Sequence, residues 1–359
     1  MSIKSPFWTL YSWIDVNKLN WYYLSKNPRA IQLLIKNPDK IDFSALAYNP
    51  NVNEIIHELI NNNQNFCFNL NKDFLKLISL KSDNINFLNS IINQLDWSQL
   101  SLNPYAIKIL NKNRDKINWS QLSLNPYAIK ILNKNRDKIN WSHLSLNPNA
   151  IEILEENCNK INWVYLSANP NAIKLLDENR DKINWFYLSK NPNAIKILDE
   201  NRDKIVWNWF CLNTNPAAIK IIEENRDKIE WFLLLQNPNA IRIIKEEMRI
   251  NPDNIDLYQL SRNPNCLNLL FEFNRDINIH FLCYNTNPEV LPILEKNKDK
   301  LKKADWYHLS ENPIIFKLDC EKMKENNQDF YEELIKEVMH PSRVFKNPDY
   351  DYIEELFGD

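Results

Sequence analysis

Trp119-Ser120-Gln121-Leu122-Ser123-Leu124-Asn125-Pro126-Tyr127-Ala128-Ile129-Lys130-Ile131-Leu132-Asn133-Lys134-Asn135-Arg136-Asp137-Lys138-Ile139-Asn140 is a 22-residue stretch that repeats Trp97 to Asn118 without a change. Repetition at a period of about 20 to 50 residues marks a chain built from one supersecondary unit that cannot bury its apolar side alone and leans on neighbours. Outward from this pair, Trp141, Trp163 and Trp185 keep the register, each followed by Leu-Ser and then Asn-Pro. Toward the N-terminus, units start at Trp21 and Phe43, with Asn27-Pro28 and Asn49-Pro50 in place. Toward the C-terminus, counting back from Asn215-Pro216 makes Asn208-Trp209 two extra residues and Trp209 a unit leader. Trp231, Leu257, Phe281 and Trp306 follow.

The unit reads as two short helices. Pro126 has a fixed φ and no N–H, which suits a first helical position with Asn125 as its cap. Ala128, Ile129, Ile131 and Leu132 then recur at helical spacing, with Lys130 and Lys134 opposite. With Gly358 the single glycine, asparagine is expected to supply the left-handed stop, at Asn37, Asn113, Asn135, Asn157, Asn179, Asn201, Asn225 and Asn297. Asn118 caps the next short helix, which turns Trp119 and Leu122 to the core. The expected fold is all-α, an α-solenoid of stacked two-helix repeats.

The alternative is a leucine-rich-repeat-like horseshoe, because Leu122-Ser123-Leu124-Asn125 looks like its strand and asparagine. The position of Leu124 argues against a strand, since other units carry Lys26, Ala168, Lys190, Thr214, Gln236, Arg262 and Glu311 there. The expected organisation is an N-terminal cap at 1–20, the array at 21–325 and a C-terminal cap at 326–359, with a last helix from Asn347-Pro348. Between 51 and 96 Asn-Pro disappears while Phe66, Phe68, Leu70, Phe74, Leu77 and Ile78 still suggest helices. That span reads as two degenerate units.

Composition removes most enzyme chemistry. Phosphate loops, dinucleotide fingerprints and nucleophile elbows need several glycines, and Gly358 stands alone. Five histidines (His57, His143, His280, His308, His340) are scattered without metal spacing, and six cysteines lack any Cys-x-x-Cys pair. The cysteines read as free thiols, with Cys266 in the place of Ala128 and Cys158 in that of Arg136. No catalytic, cofactor or metal residue is expected. No apolar run reaches the length of a membrane span, and Phe7 to Ile14 is too short for a signal peptide. The expectation is a soluble, cytosolic protein.

Two partner classes remain. Lys108, Lys130, Lys174, Lys196 and Lys220 share one repeat position, Arg114, Arg136, Arg180, Arg202 and Arg226 a second, and Lys116, Lys138, Lys160, Lys182, Lys204 and Lys228 a third. Stacked, such stripes could track the phosphates of single-stranded RNA. Glu155, Glu156, Asp177, Glu178, Asp199, Glu200, Glu223 and Glu224 lie one turn away, which favours a charge-paired surface and leaves RNA as the alternative.

A protein partner is the preferred class, and its candidate site follows from the two positions after each unit leader. These are polar at Ser98-Gln99, Ser120-Gln121 and Ser142-His143. They become apolar at Val164-Tyr165, Phe186-Tyr187, Phe210-Cys211 and Phe232-Leu233, so Tyr165, Phe186, Tyr187, Phe210 and Phe232 are the candidate partner-binding residues. Burial of the same ladder against neighbouring helices is the competing expectation.

The Trp-x-x-Leu-Ser-x-Asn-Pro-x-Ala-Ile core resembles the tandem-repeat proteins that amoeba-infecting giant DNA viruses encode in many paralogous copies. The opening from Ser12-Trp13-Ile14-Asp15 to Trp21 and the closing His340-Pro341-Ser342-Arg343 look like theirs too. The resemblance implies an α-helical solenoid, no general activity and no transferable catalytic residues. It also implies a place in the host cell cytoplasm or viral factory, or in the virion.

Overall fold

The computed structural model describes residues 6–62, 72–272 and 278–338. Cys67, Phe66, Phe68, Leu70, His340 with the closing motif, and the helix expected from Asn347-Pro348 lie outside the described residues. Two compact units emerge, residues 15–315 and a second made of 1–14 with 316–359.

Residues 15–315 are the all-α solenoid the repeat predicts. Each regular unit has a lead helix such as Trp119–Leu124, a second helix such as Ile129–Asn133, and a 3-10 turn such as Arg136–Lys138. The lead helix starts as expected: Asn118 accepts from the Gln121 N–H at 3.1 Å, and Asn140, Asn162 and Asn184 do the same in their units. Leu122, Ala128, Leu132 and their equivalents are fully buried between the two helix layers. No strand occupies the Leu122 to Asn125 segment, so the horseshoe reading falls.

Two expectations about asparagine and proline need correction. Asn135 has φ −137° and ψ 51°, and Asn113, Asn157, Asn179, Asn201 and Asn225 share that negative φ. No left-handed residue is needed, because the Asn135 amide donates to Ile131 O at 2.8 Å and satisfies a helix-end carbonyl directly. The chain then turns straight into the 3-10 segment. Asn135→Gly is therefore expected to cost about 1 to 2 kcal/mol, from the lost hydrogen bond and the added backbone freedom, where a left-handed stop would have tolerated it. Urea unfolding of the two proteins checks this. The second helix also begins later than Pro126 in most units, at Ile107, Ile129, Ile151 and Ile173. Pro126 and Tyr127 are used in a turn that Asn125 closes by accepting from the Tyr127 N–H at 3.0 Å. In Pro216–Glu223 the proline does open the helix, with Asn215 as cap.

Asn125 does more than close a turn. It is 1% exposed, and its amide donates to Ser101 O and Asn103 O of the preceding unit, both at 3.1 Å. The same paired donation runs through Asn103, Asn147, Asn169, Asn191, Asn213, Asn237, Asn263, Asn285 and Asn312. Serine supplies a second stitch: Ser123 Oγ donates to Trp119 O at 2.8 Å and accepts from the Asn140 N–H of the next unit at 3.0 Å. Every buried polar group at the junction is thus paired across it.

The ladder has no free end. Asn27, in the first unit, donates to Ser310 O at 2.9 Å and Asn312 O at 3.0 Å in the last. Ser310 Oγ accepts from the Asn20 N–H at 2.9 Å, the same stitch that Ser25, Ser79, Ser101, Ser123, Ser145, Ser167 and Ser189 make, and the helices Trp21–Lys26 and Lys303–Glu311 pack together. The array of residues 15–315 is closed on itself. Successive lead helices are packed more closely than successive second helices, which makes the lead row the inner course of the closed array.

The irregular span resolves under the same rules. Val52–Asn62 is the lengthened second helix of the Phe43 unit. Among the described residues one degenerate unit follows, where two were expected, and in it Ser79 Oγ donates to Leu75 O and accepts from the Asp96 N–H. Ser82 takes the ladder position and offers its carbonyl to Asn103. In the other compact unit, Trp8–Leu10 pairs antiparallel with Phe316–Leu318, Thr9 opposite Lys317, and Cys320–Val338 is helical.

Candidate partner-binding face

In the regular units the lead row leaves its first, second and fifth positions after the leader at least partly exposed, and this face carries the candidate residues. Placing them requires the register, which the structure shifts in two units. Trp207, not Trp209, leads its unit: Lys228 lies over its ring and Asn213 joins the ladder. The extra residues sit later, in the turn at Thr214-Asn215. Ile279 likewise leads in place of Phe281, with Leu282 buried and Asn285 in the ladder. Both units read Asn-Thr-Asn-Pro, and the first asparagine, not the one before proline, makes the rung.

Phe210 is corrected by this shift. It stands at the leucine position of its helix and is 0% exposed, a core residue and no part of a surface. Trp209 takes its place on the face, half-buried. Phe186, Tyr187 and Phe232 are 42%, 39% and 53% exposed, and Val164 41%. Tyr165 is half-buried. Phe186 meets Trp209 edge-on at 4.8 Å and Tyr187 at 5.2 Å, so the three rings form one cluster. A cavity of about 450 Å³ opens beside it, lined by Ala168, Pro170, Phe186, Tyr187, Lys190, Asn191, Pro192 and Trp209.

Around the seam of the closed array, sequence reasoning missed a second aromatic cluster on the same positions. Tyr23 stacks with Tyr307 at 6.0 Å, and His308 with Tyr284 at 3.9 Å. Burial lowers the His308 pKa and pushes Tyr284 up to about 12. The signal was available in Tyr22-Tyr23, Tyr258 and Tyr307-His308, which are the same two positions in units at the array's ends. A cation rides on the rings at four places: Lys26 over Tyr22 at 4.5 Å, Lys190 over Trp209 at 5.2 Å, Arg262 over Tyr284 at 4.8 Å and Lys303 over Tyr307 at 5.8 Å.

Two of the three basic rows, the lysines that follow each Arg-Asp and most of the arginines, are engaged. Lys138 lies over Trp119 at 4.8 Å and Lys160 over Trp141 at 4.6 Å, and the pattern holds from Lys116 to Lys228. The leading tryptophans are accordingly half-buried under their own unit's lysine, where full burial was expected. Arg136 pairs with Glu156 at 2.6 Å, Arg180 with Glu200 at 2.6 Å and with Asp177, and Arg202 with Glu224 at 2.7 Å. Hydrogen bonds that Arg180 donates to Glu200 and Asp177 raise its pKa.

Cys158, Cys211, Cys266, Cys283 and Cys320 are free thiols. Burial pushes Cys211 up to about 11 and Cys266 up to about 12, and raises Cys283 as well, which makes these three poor nucleophiles. Among the described residues no group of three His, Cys, Asp or Glu side chains could hold a metal ion, and no helix is long and apolar enough to cross a membrane. Comparison of the chain with family models, with curated proteins and with solved structures gives no match.

Proposed function

We propose that this chain is a non-enzymatic repeat scaffold that engages a protein partner through the aromatic face of its lead helices. The observation that carries the reading is the exposure of Phe186, Tyr187 and Phe232, the first two clustered with Trp209, on a row of hydrogen-bonded helices. Large rings held in solvent on a fixed backbone lose little entropy on binding and supply hot-spot contacts. The tandem-repeat resemblance supports a giant-virus protein acting in the host cell cytoplasm or viral factory, or as a particle component. RNA is the alternative partner. The Arg–Glu pairs and the lysines over tryptophan oppose it, because both would have to be broken to reach phosphate.

Phe186→Ser with Phe232→Ser tests the reading. Both side chains are about half in solvent, so the melting temperature is expected to stay within a few degrees of the parent. Proteins that co-purify with a tagged parent from infected cells are expected to be lost. A large fall in melting temperature, or capture of RNA that survives the double change, overturns the proposal.

A further inference from the structure

We propose that the cavity beside Phe186, Tyr187 and Trp209 is a docking site for an acidic peptide segment carrying one bulky apolar side chain next to a carboxylate. The inference rests on the protein-binding reading above and names the partner's chemistry.

Ala168, on the cavity wall, is smaller than its counterparts in other units. At the fifth position after the leader, the units at Trp97, Trp119 and Trp141 carry Leu102, Leu124 and Leu146, whereas the unit at Trp163 carries Ala168. The missing side-chain volume lies next to Phe186 and Tyr187, where the units at Trp97, Trp119 and Trp141 carry Ser98-Gln99, Ser120-Gln121 and Ser142-His143. About 450 Å³ is within the range of a pocket that encloses one or two side chains.

Its polar groups narrow the ligand. Asn191 is 4% exposed, and its amide and carbonyl are already bonded to Ser167 O, Asn169 O and the Asn193 N–H. The Tyr187 N–H is held by Asn184. Lys190 is exposed on the rim, its ammonium over Trp209, and no carboxylate pairs with it among the described residues. The arginines of the Arg–Glu row, by contrast, have partners. An apolar cavity with one unneutralised cation at its lip selects an apolar group with an adjacent anion. Lys26 and Arg262 repeat the ring-and-cation pairing along the same face, so an extended acidic segment would meet the same chemistry at further steps. An extended segment also suits the inner course of a closed array better than a globular surface does.

The test measures fluorescence anisotropy of three labelled peptides, glutamate-rich with a single central leucine, phenylalanine or tryptophan, titrated with the full chain. At least one is expected to bind saturably, and its glutamine-substituted twin about tenfold more weakly. Ala168→Leu restores the residue of three other units and fills the cavity; Lys190→Gln removes the charge from an exposed side chain. Each is expected to weaken the acidic peptide about tenfold with the melting temperature unchanged. No saturable binding by any peptide, equal binding of the neutral twin, or parental affinity in Ala168→Leu overturns the assignment. Partner capture lost in the Phe186→Ser/Phe232→Ser protein but intact in Ala168→Leu keeps the face as a docking surface and removes the cavity from it. Capture intact in both removes both.

Discussion

Asn147→Ala is expected to lower the unfolding free energy by on the order of 3 kcal/mol or more, while Asn149→Ala, two residues on, costs about 1 kcal/mol or less. Both asparagines reach back one unit. Asn149 donates to Pro126 O at 3.0 Å from an exposed position, where water can replace it. Asn147 is 1% exposed and bonds Ser123 O, Asn125 O and the Asn149 N–H. Removing it takes this partner from Ser123 O and the Asn149 N–H and leaves Asn125 O with the Ala128 N–H alone, and each buried group left unpaired costs about 1 to 3 kcal/mol. Asn147→Asp separates hydrogen bonding from volume, since it keeps the shape and loses both donors at neutral pH. It is expected to be at least as damaging as alanine in urea unfolding, and a mild effect of both would remove the ladder from the energetics.

Phe210→Ala is expected to cost about 3 to 5 kcal/mol, in the range for deleting a fully buried aromatic side chain. Trp209→Ser, its neighbour, is expected to cost much less because the ring is only half-buried beside Phe186 and under Lys190. The comparison tests the register directly. If Trp209 led the unit, the two results would be exchanged, with Phe210 the tolerant position. Thermal unfolding of both variants gives the answer.

That register shows where the sequence was readable and where it was not. Helix pairs, the Asn118 cap and the stripe of Ala128, Ile131 and Leu132 follow from local rules, and the structure keeps them. Counting back from Asn-Pro failed where two asparagines compete, in Asn213-Thr214-Asn215-Pro216 and Asn285-Thr286-Asn287-Pro288, because the rung is chosen by tertiary hydrogen bonding and not by the proline. The glycine-poor composition suggested left-handed asparagines, yet a side chain that bonds the helix-end carbonyl makes the backbone excursion unnecessary. Of the candidate face, Phe186, Tyr187 and Phe232 were legible as outward residues. Ala168 and Lys190 were not, since their meaning lies in a cavity shared by three successive units. Closure was hidden as well, although a clue existed: Asn27 carries the full ladder signature while residues 1–20 offer no preceding Leu-Ser-x-Asn for it to bond. A terminal repeat that faced solvent would be expected to have lost it.

Closure of the array is the central claim, and amine cross-linking of the dilute monomer tests it most directly. Lys18 and Lys303 line one pocket, and Lys18 lies over the Trp306 ring at 5.2 Å. The account predicts an intramolecular link between Lys18 and Lys303 by mass spectrometry, formed alongside links between adjacent units such as Lys138 to Lys160. Links between adjacent units without the Lys18–Lys303 link would contradict it and leave an open solenoid.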